Sequence, residues 1–241
     1  MKQAKRYVRQ LGVFGESGQR QLSKSSALVV GAGGLGSGLL YNLAGLGVGS
    51  LGILDYDNVD VSNLNRQFLY RSNEIGRPKC ELAKLRLEAF NPEIDIKAFN
   101  MRMDEKNVSD RIRGYDIVIM AVDNVETRLI VNRYAHFQKI PVVDGGVDGW
   151  LGMVLAACGG ESPCIQCFYG AGSFAPRQIP SSISPVVTTI SSLQATVTLS
   201  ILLGKANPIK GRLLIFDGQE VAFDSIPFLA LPNCPVCAAK A

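Results

Sequence analysis

The segment Val29-Val30-Gly31-Ala32-Gly33-Gly34-Leu35-Gly36 constrains this chain more than any other. Gly31, Gly33 and Gly36 fit the spacing G-x-G-x-x-G, with the apolar run Ala27 to Val30 before them and a small-residue helical pattern, Leu35 to Leu46, after them. A strand that turns through glycines into a helix leaves the first N–H groups of that helix unpaired. It aims them, with the positive end of the helix dipole, at a single point where a phosphate can sit. The glycines alone do not distinguish a nicotinamide dinucleotide from another phosphate-bearing ligand that uses the same loop.

The pattern around the loop is that of an α/β chain. Tyr7 to Leu22 has helical spacing. "SLGILDYD" is a second strand closed by acids, and "PKCELAKLRLEAFNP" is a helix between Pro78 and Pro92. "EIDIKAFN" alternates as a strand does, "DEKNVSDRIRG" is helical to Gly114, and "YDIVIMAVDN" is a buried strand. "VETRLIVNRYAHFQK" and "IPVVDGG" continue the alternation as helix and strand. Such alternation predicts a Rossmann-like, doubly wound and mostly parallel sheet with helices on both faces. After Gly146 the rhythm changes. "GWLGMVLAAC" is expected to be an antiparallel strand, "GAGSFAPRQIPSSISP" a polar loop, "VVTTISSLQATVTLSILLG" a long helix, and "RLLIFDGQEVAFDSI" a hairpin around Asp217-Gly218. The expected organisation is one domain over 1–241. Its nucleotide-binding half is 1–146, and an antiparallel C-terminal extension, 147–241, caps that half rather than folding separately.

Bulk properties exclude several functions. Apolar residues make up 47% of the 241 and charged residues 19%, enough for a sizeable core. The net charge of +4 is mild and its Lys and Arg are scattered, which argues against nucleic acid as a partner. The N-terminus "MKQAKRYVRQ" has no apolar stretch typical of a secretion signal, and no apolar run is expected to reach the roughly 18 residues that span a bilayer. A cytoplasmic protein without a membrane partner is the expectation. His136 is the single histidine, so no two-histidine mechanism operates and a Ser-His-Asp triad is disfavoured. His136 itself is expected to be a surface or satisfied helix residue, and Trp150 a core or interface residue.

Three further groups of residues carry chemistry. Asp55 ends the second strand, where an acid can bind a ribose hydroxyl. The segment "DVSNLNRQFLYRSNEIGRPK" then brings Asn63, Arg66 and Lys79, which a nicotinamide enzyme does not require; they suit a triphosphate, because the charge of a leaving pyrophosphate must be neutralised, and equally a solvated polar loop. Asp123-Asn124 follows a buried parallel strand; an acid there can hold magnesium beside phosphates, or cap the next helix. Finally, Cys164 and Cys167 in "CIQC" and Cys234 and Cys237 in "CPVC" are two C-x-x-C knuckles in a chain without an export signal. That arrangement fits a closed four-thiolate zinc site with a structural role, rather than a redox dithiol.

Taken in order, "RYVRQ", "GAGGLGS", "LDYDNVDVSNLNRQ", "GRPK", "AVDN", "SLQA" and the two cysteine pairs resemble the ThiF/MoeB/HesA family, bacterial relatives of ubiquitin-activating enzymes. The likeness runs through nearly the whole chain. It implies adenylation of the C-terminal glycine carboxylate of a small ubiquitin-like sulfur carrier ending in Gly-Gly, with ATP and magnesium, in molybdopterin, thiamin or related sulfur transfer. Carried onto this sequence, it implies nucleotide contacts from Gly31, Gly33, Gly34 and Gly36, from Asp55, and from the block Ser62, Asn63, Leu64, Asn65 and Arg66. Lys79, Asp123 and Asn124 complete the set, with Asp123 on magnesium. Arg9, in "RYVRQ", resembles an arginine that reaches the γ-phosphate of the neighbouring subunit, which implies a homodimer with Arg9, Arg66, Lys79 and Asp123 as its catalytic set. Many relatives carry a cysteine in the loop before the "SLQA" helix. Here that stretch has Ser181 and Ser182 instead, which implies adenylation without a covalent carrier link there, and a separate sulfur donor. An NAD-dependent oxidoreductase and a non-catalytic nucleotide-binding scaffold are the alternatives from other classes. Arg9, Arg66 and Lys79 together argue against both.

Overall fold

The computed structural model describes residues 3–161, 163–170 and 181–238. A short helix α1 (Gln3–Arg6) leads into α2 (Val8–Leu22), which kinks at Gly15 (φ 69°). The chain then alternates: β1 (Ser26–Val30), α3 (Gly34–Leu46), β2 (Ser50–Leu54), α4 (Lys79–Phe90), β3 (Asp95–Phe99), α5 (Val108–Ile112), β4 (Ile117–Met120), α6 (Val125–Phe137) and β5 (Val142–Asp148). These five strands pair in parallel in the order β3-β2-β1-β4-β5. β1 therefore lies between two strands reached by opposite crossovers. Doubly wound sheets bind ligands at such a switch point, beyond the carboxyl ends of the strands, here β1 and β4.

The same sheet continues antiparallel through β6 (Leu151–Ala157), β7 (Arg212–Asp217) and β8 (Ala222–Pro227), giving eight strands. Between β6 and β7 lie α7 (Ile165–Gly170) and α8 (Ser184–Leu202). Successive residues of β1 serve opposite cores. Ala27 and Val29 join α3, α4 and α8 through Leu39, Leu43, Leu87 and Ile190, whereas Leu28 and Val30 join α5 and α6 through Ile112 and Val131. Strands buried on both faces read as unbroken apolar runs, which is why β1 and β4 are so plain in the sequence.

Of the two places expected for Trp150, core or interface, the fold excludes the core: it occupies the two-residue turn between β5 and β6 and is 49% exposed. One expectation changes: α8 is, by length and composition, apolar enough to cross a membrane, with a mean hydropathy of 1.4. Its Ser and Thr residues interrupt the apolar run, which hides this in the sequence. In the fold α8 packs on α3, β5 and β6, and Val186, Ile190, Ala195 and Val197 are buried there. Most of the polar loop expected before α8, 171–180, lies outside the described residues. Ser181 and Ser182 lie within them, where the Ser181 carbonyl accepts from the Gly149 N–H at 2.7 Å.

Candidate functional site

The glycine turn is built by close approach. Gly31 has φ 99°, and an added Cβ would lie 2.5 Å from the Ala121 carbonyl oxygen; at Gly36 it would lie 2.1 Å from the Gly31 carbonyl oxygen. Both positions exclude any side chain, so the loop folds flat onto the start of α3. Among the described residues no side chain caps α3 at Gly33, which leaves its first N–H groups free beside the carboxyl end of β1. The Ala32 peptide is fixed from both sides: its N–H donates to Asp55 Oδ2 at 2.7 Å, and its carbonyl accepts from the Tyr70 hydroxyl at 2.6 Å. Asp55 Oδ1 accepts from the Asp57 N–H at 2.8 Å. Asp55 is buried, and desolvation raises its pKa against these hydrogen bonds and the Lys79 charge.

The segment after β2 is shaped by a capping box. Asp60 accepts from the Ser62 N–H at 2.8 Å while Asn63 Oδ1 accepts from the Asp60 N–H at 3.1 Å. Leu64 packs on the core beneath this turn. Arg66 donates from Nη1 to the Ser62 carbonyl at 2.8 Å and to Asn65 Oδ1 at 2.9 Å. Its aliphatic stem lies over the loop, since a Cβ at Gly34 would be 3.5 Å from Arg66 Cγ. Lys79 opens α4, is buried, and pairs with Asp57 Oδ2 at 3.0 Å. Asp57 was not expected from the sequence, although the second acid of "LDYD" is the signal that marks it.

Asp123 lies three residues past β4, the neighbour of β1. Asn124, not Asp123, caps α6, accepting from the Thr127 N–H at 2.8 Å. Asp123 is thereby left exposed, without a hydrogen bond or ion pair among the described residues. The fold thus brings the glycine turn, Asp55, Arg66, Lys79 and Asp123 to one edge of the sheet. Arg9 is elsewhere. Its neighbours hold the far ends of α3 and α4: Gln10 donates to the Leu46 carbonyl at 2.9 Å, and Arg6 to the Phe90 carbonyl at 3.0 Å. The thirteen residues of α3 put about 20 Å between its far end and the glycine turn.

The two cysteine pairs, 70 residues apart in sequence, meet. Cys164 Sγ and Cys234 Sγ are 3.7 Å apart, Cys167 Sγ and Cys237 Sγ 3.3 Å, and all four sulfurs lie within 4.8 Å of one another. A tetrahedral zinc with bonds of about 2.3 Å requires sulfurs about 3.8 Å apart, so the donors fit. Burial raises the Cys164 and Cys167 pKa values in the bare cluster, and a divalent cation would reverse that. The Asn132 amide and the Leu231 N–H point at two of the sulfurs, at 3.6 and 3.5 Å. Of the remaining thiols, Cys80, in the first turn of α4, is fully buried, and desolvation pushes it up to about 11. Cys158 is half-buried, its pKa also raised by desolvation. His136, half-buried on α6, has its pKa lowered by desolvation and stands edge-on to Phe137.

One buried cluster was not expected from the sequence. Arg128 on α6 grips Asp144 of β5 with Nη1 at 2.6 and 2.7 Å, and the Tyr169 hydroxyl joins both, 2.6 Å from Nη1 and 2.8 Å from Asp144 Oδ2. Burial disfavours charge on Arg128, but Asp144 outweighs it, so the guanidinium pKa rises; burial also raises Asp144, against the pull of Arg128 and the Tyr169 hydroxyl.

The ThiF family model matches residues 7–236, from just before α2 to the second cysteine pair. The chain belongs to the ThiF family. Among curated relatives of this ThiF-family protein, a sulfur carrier protein adenylyltransferase of Thermus thermophilus is 37% identical over 96% of this chain and 90% of its own length. A SAMP-activating enzyme E1 of Haloferax volcanii is 34% identical over 92% of this chain and 84% of its own. The adenylyltransferase and sulfurtransferase MOCS3 of Drosophila ananassae is 35% identical over 98% of this chain, which spans only 54% of that protein. Among solved structures, Escherichia coli MccB superposes with a TM-score of 0.86 at 21% identity, over 96% of this chain and 74% of that one, a likeness of fold.

Proposed function

We propose that this ThiF-family protein adenylates the C-terminal carboxylate of a small ubiquitin-like sulfur-carrier protein, with release of pyrophosphate. The observation that carries the reading is one sheet edge holding an uncapped helix N-terminus, two cations and an unpaired carboxylate. The Thermus relative's name supplies the substrate class, a sulfur carrier protein that is adenylated, and the Haloferax relative is named as an activating enzyme E1. In the reaction the carrier carboxylate attacks the α-phosphorus of ATP and the bond to the β-phosphate oxygen breaks. A C-terminal carboxylate, with a reference pKa of about 3.5, is already the nucleophile at neutral pH, so no base is needed. What remains is the placing of two anions and the neutralising of the leaving group.

In this reading the N–H groups of Gly33 and Gly34 cradle phosphate, and Asp55, held by Ala32 and Asp57, accepts from the ribose. Lys79 exchanges Asp57 for the phosphates, while Arg66, Asn63 and the Ser62–Asn65 turn line them and Asn124 fixes the approach of α6. A magnesium ion on Asp123 would supply charge neutralisation to the pyrophosphate. Arg9 completes the site of a partner protomer, making the functional unit a homodimer. Residues 1–241 form one adenylation unit, with the carrier and a structural zinc served by 147–241. The stretch before α8 has Ser181 and Ser182 where a nucleophilic thiol would stand, so sulfur enters from a separate donor. A carrier ending in Gly-Gly is the substrate to use. The test is exchange of labelled pyrophosphate into ATP. Exchange that depends on such a carrier supports the reading; tight NAD binding with no exchange would sink it.

A further inference from the structure

The loop that carries Asp123 is tied down on all sides of it. Gln194, fully buried in α8, donates Nε2 to the Met120 carbonyl at 2.9 Å, and the Ala121 N–H reaches the Val30 carbonyl at 2.8 Å. Arg128 Nη2 donates to the Val122 carbonyl and to the Gly145 carbonyl at 3.0 Å. Asn124 caps α6. Of the residues from Met120 to Asn124, Asp123 alone has a side chain and peptide without such a tie among the described residues. Arg128 does this from the core, where an apolar side chain of similar volume would be no less stable than an ion pair. Its fork divides its work: Nη1 is spent on Asp144 and Tyr169, and Nη2 goes to backbone carbonyls, one of them directly before Asp123. The holder is itself anchored. Tyr169 lies two residues beyond Cys167 on α7, and Asn132, one turn along α6 from Arg128, donates to Cys164 Sγ and accepts from the Ile165 N–H at 3.0 Å.

We propose that Arg128, locked by Asp144 and Tyr169, is a positioning residue that fixes the Asp123 carboxylate for its cation and couples it to the four-cysteine knuckle. This rests on the reading of Asp123 as a cation ligand. Arg128→Lys keeps the charge beside Asp144 but has no fork with which to reach the Val122 carbonyl. Tyr169→Phe removes only the hydroxyl and is the variant that decides if Arg128→Lys does not fold. The full chain is loaded with a non-hydrolysable ATP analogue, and Mn2+ binding is read by electron paramagnetic resonance. The free Mg2+ giving half-maximal pyrophosphate exchange is measured beside it, with the carrier KM and the melting temperature. Expected is a rise of about fivefold or more in the Mn2+ dissociation constant and in half-saturating Mg2+ for Arg128→Lys, and a smaller rise of the same kind for Tyr169→Phe, with carrier KM unchanged. Folded variants with unaltered cation affinity, while Asp123→Asn weakens it, overturn the positioning role alone. Unaltered affinity in Asp123→Asn removes the cation reading and this inference together.

Discussion

At the scale of single residues, glycine and cysteine make the sharpest distinctions. Gly36 and Gly33 belong to one motif but meet different surroundings. A Cβ at Gly36 would collide with the Gly31 carbonyl, whereas one at Gly33 would find only Gln67 Nε2, at 3.6 Å, in a residue whose φ is −79°. Gly36→Ala should therefore lower stability by about 2 kcal/mol or more through forced backbone movement. Gly33→Ala should melt within a few degrees of the unaltered protein yet lose ATP binding, because its methyl group projects where phosphate must approach. Calorimetric melting beside nucleotide titration separates the two; equal melting temperatures would contradict the packing argument. For Cys80, the direction of its shift decides its chemistry. A thiol raised to about 11 is thiolate in only about one molecule in a thousand at pH 8. Iodoacetamide at pH 8 should leave Cys80 unmodified in the folded protein and modify it on unfolding, and no reductant-sensitive enzyme–carrier band should form. Labelling of native Cys80, or such a band lost in Cys80→Ala, would reverse this.

At the scale of elements, the legible part of the fold is what local pattern encodes. β1 and β4 are continuous apolar runs because both their faces are buried, and α4 sits between Pro78 and Pro92 as its flanks require. The glycine turn, Asp55, Arg66 and Lys79 were readable because a short segment carries them all to one sheet edge. What escaped depends on contacts between distant segments. Arg128, Asp144 and Tyr169 sit in ordinary helix and strand patterns, and nothing local marks them as partners. Trp150 looks like a core residue by type, but a two-residue turn places it outside. The cysteine pairs lie between these cases: their spacing reveals the chemistry, and only the fold brings them within 4.8 Å. α7 and the C-terminal turn meet at this cluster, with Val236, Phe228 and Leu231 beside it. Metal analysis should find one zinc per chain, and Cys237→Ala should lose it with a drop in stability of several kcal/mol. Full zinc content in that variant would show that the ion is held elsewhere.

At the scale of the whole molecule, the position of Arg9 has consequences that no single chain can satisfy. It lies on α2, exposed and without a hydrogen bond or ion pair among the described residues. Gln10 and Gln19 pin the same helix to the Leu46 carbonyl, at the end of α3 opposite the glycine turn. A side chain of about 7 Å cannot span the roughly 20 Å length of α3, so an Arg9 that touches phosphate must touch that of a second protomer. On the proposed role of Arg9, a homodimer becomes a requirement of the chemistry, and that predicts complementation. Arg9→Ala and Asp123→Ala chains should each be inactive in carrier-dependent pyrophosphate exchange. Mixed under conditions that exchange subunits, the heterodimer holds one site built from the intact Arg9 of one chain and the intact Asp123 of the other. Statistical mixing makes half the dimers hetero, each with one of two sites intact, so about a quarter of the unaltered activity should return. Subunit exchange verified by mass, without any recovered activity, would place Arg9 in a structural role within its own chain.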